Sequence, residues 1–130
     1  MQRVVVGVAV ATMVWVAGCT PAAEPQARAA AAAFQGAVDR GDSTAACELL
    51  SEAARENLES ASVTRCAEAL TRLELPTGSV AEVAVWGGNA QGRLGSGVLF
   101  LAEFGSGWKV TAAGCTFRSE KLPYACAVKG

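Results

Sequence analysis

The sequence predicts an α+β domain, with N-terminal helices packed on an antiparallel sheet of about four strands. Three observations point there. Apolar residues recur at helical spacing from Ala27 to Leu70, then alternate at period two from Val80 onward. Pro76-Thr77-Gly78 separates the two regimes, and glycine-rich turns punctuate the second. Cys47, Cys66, Cys115 and Cys126 offer material for two disulfide staples.

The chain opens with a different kind of segment. Arg3 supplies a positive charge, and Val4 to Gly18 carries none. A membrane-spanning helix needs about 20 apolar residues. This run is shorter and suits the apolar region of an export signal. It closes on Val16-Ala17-Gly18-Cys19, which resembles the lipobox of bacterial lipoproteins, with Val16 where Leu is commonest. The resemblance implies that residues 1–18 are a signal peptide and that the Cys19 thiol receives a diacylglyceryl thioether. Small side chains at Ala17 and Gly18 suit a peptidase cleft. Two or three acyl chains, at roughly 0.8 kcal/mol per buried CH₂, hold a protein stably on a bilayer. The alternatives are an ordinary secretory signal and an uncleaved anchor. The expected address is the extracytoplasmic face of the bacterial cell membrane. The membrane is the expected partner through Cys19, joined by another envelope protein or a small hydrophobic molecule.

Removing residues 1–18 from the 130 leaves 112, one domain with a modest core. All 12 acidic residues and 10 of the 11 basic ones follow Cys19. With no basic block, nucleic acid is not an expected partner. The chain has no His, which removes the commonest general base and transition-metal ligand. No C-x₂-C pair exists, so the four cysteines read as disulfides and no metal or cofactor is expected. Three connectivities are open. Chain proximity favours Cys47–Cys66 and Cys115–Cys126, each contributing roughly 3 kcal/mol in the chain-entropy picture.

Residues 19–26, with Pro21 and Pro25, read as a tether, and 27–130 as a single domain. A first helix starts near Pro25 or Gln26, places Ala27, Ala30, Ala31, Phe34 and Val38 on one face, and ends at Gly41. Asp42, Ser43 or Thr44 caps a second, whose apolar side is Leu49, Leu50, Ala53, Ala54 and Leu58. Ser60 or Ser62 caps a third, with Val63, Cys66, Ala67 and Leu70 on one face. Strands are expected at Val80–Trp86, Asn89–Leu94 and Val98–Phe104, the last apolar enough to be central. Trp108, Val110 and Ala112 alternate with Lys109 and Thr111 as a half-buried strand. Cys115 to Cys126 reads as a disulfide-closed excursion before a short terminal strand, Ala127 to Lys129.

Phe34 followed by Gly41-Asp42 and an Ala-Leu-rich helix resembles the opening of NTF2-like (cystatin-like α+β) domains. Gly107-Trp108-Lys109-Val110, then Gly114-Cys115 and Pro123-Tyr124-Ala125-Cys126, is similar to the C-terminal half of small bacterial lipoproteins of that fold. The likeness spans roughly Ala27 to Gly130. It implies a curved sheet wrapped by helices around a cone-shaped cavity. It implies no chemistry, because that fold hosts enzymes, binders and assembly modules.

Candidate functional residues are few. Glu82 and Glu103 interrupt strands, and either could serve as an acid or base if the sheet turned it inward. On an exposed or edge face they would instead pair with Lys109 or Arg93. Asp39 stands near a helix end beside Arg40 and Asp42, as a solvated group. No nucleophile motif, phosphate loop or calcium loop is present. Trp86, Phe100, Phe104 and Trp108 all lie in the sheet half and could line an apolar cavity, or simply fill a core. The loop Thr116–Ala125 carries Arg118, Glu120, Lys121 and Tyr124, a mixture suited to protein recognition or to a plain surface hairpin. The expected role is a lipid-anchored binding or interaction module of the cell envelope without catalysis. The alternatives are an NTF2-like enzyme using a buried carboxylate and a carrier of a hydrophobic ligand.

Overall fold

The computed structural model describes Gly7 and residues 23–130. The lipobox, Cys19 and the tether as far as residue 22 lie outside the described residues. Four helices precede five strands: α1 (Ala23–Asp39), α2 (Ser43–Glu48), α3 (Glu52–Ser62), α4 (Cys66–Leu73), β1 (Glu82–Trp86), β2 (Asn89–Leu94), β3 (Gly97–Phe104), β4 (Gly107–Phe117) and β5 (Tyr124–Lys129). The strands form one antiparallel meander in chain order. The architecture is therefore α+β with two disulfides, and β3 is the central strand.

Helix α1 begins earlier than expected, so Ala23 to Gln26 are helical. Ala27, Ala31 and Phe34 are buried as the periodicity requires, with Ala37 and Gln35 beside them. Gly41, in a left-handed conformation (φ 69°), follows the last turn. Asp42 then caps α2 by accepting from the Ala45 N–H at 3.1 Å.

The expected second helix is in fact two. The chain leaves the helix at Leu49–Ser51 and forms a parallel bridge to β4 through Leu50 and Val110. The Ser51 N–H donates to the Val110 carbonyl, and the Val110 N–H to the Leu49 carbonyl, both at 2.8 Å. Ser51 restarts the helix by accepting the Ala54 N–H on its Oγ. Period alone could not show the break, because Leu50, Ala54 and Leu58 stay on the buried side through it. The third expected helix also starts later. Val63 is 90% exposed and sits left-handed (φ 53°) as the stop of α3, so it is not a core residue of α4.

In the sheet, β4 is longer than expected and runs through Cys115. Alternation fails along it: Trp108 and Val110 are buried, then Ala113 and Cys115. Two register shifts against β3 cause this, between Val98 and Phe100 and between Phe100 and Leu101. Each inserts an extra β4 residue, which resets the pleat and bends the strand. Gly114 supplies the left-handed residue (φ 62°) at one shift. Gly97 is required at the same place, since a Cβ there would stand 2.5 Å from the Cys115 carbonyl oxygen.

The core lies between the helices and one face of the sheet. Phe34, Leu50, Ala54, Leu58, Leu70, Leu99, Leu101, Trp108, Val110 and Val128 fill it. Cys47–Cys66 joins α2 to the first residue of α4. Cys115–Cys126 links residues directly opposite each other on β4 and β5. Both pairings are those favoured by chain proximity.

Candidate functional site

The helix-side face of the sheet carries Ala90, Gly92, Leu94, Leu99, Leu101 and Val110, all buried. Between α1 and this face the space is almost closed. The cavity bounded by Phe34, Gln35, Leu75, Leu94, Leu99 and Ala113 has a volume of about 10 Å³, room for one water at most. Gln35 projects at its rim, but its amide is occupied. Its Nε2 donates to Asp39 Oδ1 at 3.0 Å and to the Pro76 carbonyl at 2.8 Å. Asp39 also accepts the Gly78 N–H at 3.0 Å. Asp39 is exposed to solvent as expected, and it also latches the α4–β1 linker to α1.

The carboxylates in the sheet do not converge. Glu82 opens β1, is exposed, and lies opposite Arg93 in the β1–β2 register. Glu103 lies near the far end of β3, also exposed, opposite Trp108. The two occupy opposite ends of the sheet. Neither is in the interior, where a low dielectric would tune it for proton transfer. Among the described residues, no group of three His, Cys, Asp or Glu side chains could hold a metal ion.

The four aromatics proposed to line a cavity are divided between faces. Trp108 is buried on the helix side, and its Nε1 has no hydrogen-bond partner among the described residues. Trp86 and Phe104 are half exposed, at the turn end of the sheet. There the Glu103 N–H donates to the Gly88 carbonyl and ties the two hairpins together. Phe100 lies half buried on the helix-free face, under Tyr124 (ring centroids 5.0 Å apart, edge to face). Phe104 lines a groove with the start of α3 while Phe100 packs on Tyr124, so the aromatics do not enclose one space.

What sequence reasoning missed is the cluster around Tyr124. Its ring meets Phe117 edge to face at 5.8 Å, and its hydroxyl accepts from Gln91 Nε2 at 3.3 Å. Phe117 is 64% exposed and Leu122 65%. The loop that carries them is ordered by its own bonds: Arg118 N–H to the Pro123 carbonyl, Ser119 N–H to the Leu122 carbonyl, and Leu122 N–H to Ser119 Oγ. Beside it a shallow groove of about 390 Å³ is lined by Arg93, Val98, Cys115, Phe117 and Tyr124. The available signal was the position of Phe117 and Tyr124. Phe117 lies two residues after Cys115 and Tyr124 two before Cys126, so both share the cysteines' face.

A second, larger groove of about 830 Å³ runs between the start of α3 and the β3–β4 turn. Glu48, Glu52, Glu56, Arg55, Lys109 and Phe104 line it. It is open and mixed in charge, and Lys109 Nζ is already engaged with the Glu48 carbonyl at 3.1 Å. No helix of the described residues is long and apolar enough to cross a membrane. Comparisons with protein-family profiles, curated proteins and solved structures find no match to this chain.

Proposed function

We propose that this chain is a lipid-anchored module of the bacterial cell envelope that binds a partner and performs no catalysis. The observation that carries the reading is the disposition of its cysteines. Four of the five are joined in two disulfides, as suits an oxidising compartment. The fifth is Cys19, at the end of an export-type segment. A filled interior and two separated, exposed carboxylates favour binding at the surface over chemistry within. Helices preceding a single antiparallel meander support an NTF2-like assignment of the fold.

The test is metabolic labelling with a fatty acid in a bacterial host, comparing wild type with Cys19→Ala. Label should enter the wild-type chain and be absent from the variant, which should remain uncleaved. Equal labelling of both chains, or none in either, overturns the anchor.

A further inference from the structure

The two layers of the molecule differ in charge. Residues 23–79, which hold all four helices, carry nine acidic and five basic side chains. Residues 80–130, which hold the sheet, carry three acidic and five basic ones. A chain of net charge −1 is therefore polarised, negative over its helices and positive over its sheet. Three of the five sheet-half cations, Arg93, Arg118 and Lys121, stand around the exposed Phe117, Leu122 and Tyr124, against two acids, Glu120 of the loop and Glu82 opposite Arg93.

We infer that the helix-free face of the sheet, led by the Arg118–Pro123 loop, docks on the surface of an anionic phospholipid bilayer. The inference rests on the lipid-anchor reading for its setting, but its chemistry is separate. Exposed Phe, Leu and Tyr side chains enter the headgroup region, where rings with one polar end are at home. Basic side chains beside them meet lipid phosphates, at about fivefold in binding for each Lys or Arg near the surface. The groove lined by Arg93, Val98, Phe117 and Tyr124 offers a cation next to apolar walls, matching a phosphate next to acyl chain. The loop is held by three internal hydrogen bonds and closed at its base by Cys115–Cys126, so little conformational freedom is lost on contact.

Helix α1 begins at Ala23, four positions after Cys19. Four residues reach at most about 14 Å. The tether thus keeps the start of α1 close to the lipid, and an anionic surface repels the acidic helical layer and draws the cations around Phe117 and Tyr124.

The experiment uses the full chain with Phe117→Trp as a reporter at an exposed position. The protein is mixed with vesicles of phosphatidylcholine alone or of phosphatidylcholine with phosphatidylglycerol, each containing a brominated lipid. The added Trp signal, relative to wild type, should be quenched by the brominated lipid only when phosphatidylglycerol is present. Raising NaCl to about 0.5 M, where the Debye length falls to a few Å, should relieve that quenching. In Phe117→Trp carrying Arg93→Gln, Arg118→Gln and Lys121→Gln together, the docked fraction relative to the undocked should fall by roughly 100-fold.

Flotation of the same samples separates the two readings. Protein that floats with both vesicle types but shows no phosphatidylglycerol-dependent quenching overturns docking and leaves the anchor standing. Protein that floats only with phosphatidylglycerol vesicles, and is released by salt, supports docking and overturns the anchor. Quenching unchanged in the triple Gln variant overturns docking through these residues and redirects the face to a partner protein.

Discussion

The helical layer and the sheet layer are held together by different means. In the sheet, every strand is registered to a neighbour by backbone hydrogen bonds, and its disulfide joins two residues already opposite each other. The helical layer has no such lattice. Helices α2 and α4 have six and eight residues, too short to persist alone, and Cys47–Cys66 is the covalent link between them. One disulfide supplies architecture, while the other reinforces architecture already present. The layers also divide their labour: the small alanines of α1 let it approach the sheet closely, whereas the opposite sheet face keeps its large side chains exposed.

The most direct way to break this pairing of layers is Phe34→Ala. Phe34 is 1% exposed and reaches from α1 to Leu94, Leu99 and Ala113. The substitution should destabilise by about 3–5 kcal/mol, seen as a lower urea midpoint with the cooperativity retained. A loss under about 1 kcal/mol would show that α1 is not the joint.

Removing Cys47–Cys66 by the double change to Ala should cost about 3 kcal/mol. Amide exchange should rise first in α2 and α4, with the sheet still protected. Removing Cys115–Cys126 in the same way should cost less. The shorter closed loop alone accounts for roughly 0.5 kcal/mol of the difference, and the paired strands account for more. Its exchange signature should be confined to residues 117–124. If the two double variants lose equal stability and loosen equal lengths of chain, the contrast drawn between the layers fails.

The smallest effect is expected at Ser51→Ala. It removes the hydroxyl that caps α3 and should cost about 1 kcal/mol, measured by thermal unfolding. Ser51→Asn, which keeps an acceptor, should recover most of the loss. Failure of the Asn variant to do so would assign the effect to burial at this 4%-exposed site and not to the cap.

Much of the fold is legible in the chain because its signals are local. Asn89–Leu94 is a strand as expected, Gly41 ends α1, and both disulfides join the cysteines nearest in sequence. What escaped was set by distant partners. The helix break at Leu49–Ser51 exists because β4 offers hydrogen bonds there, sixty positions along the chain. The resetting of alternation in β4 exists because two bulges form against β3. The aromatic set Trp86, Phe100, Phe104 and Trp108 was right as a list of sheet residues, but the faces they occupy follow from twist and register. Tyr124 was singled out as a loop residue; only the pairing of β4 with β5 brings it onto Phe100.

The Leu49–Ser51 bridge also bears on how copies of this protein meet. Strand β5 pairs with β4 only from Ala112 onward, so the first half of β4 would present bare N–H and C=O groups along one side. Such a margin is a template for a strand from another molecule. Leu49 and Ser51 occupy the Val110 donor and acceptor instead. The interruption between α2 and α3 therefore acts as a stopper: it keeps that stretch of the sheet from growing sideways into a neighbouring chain.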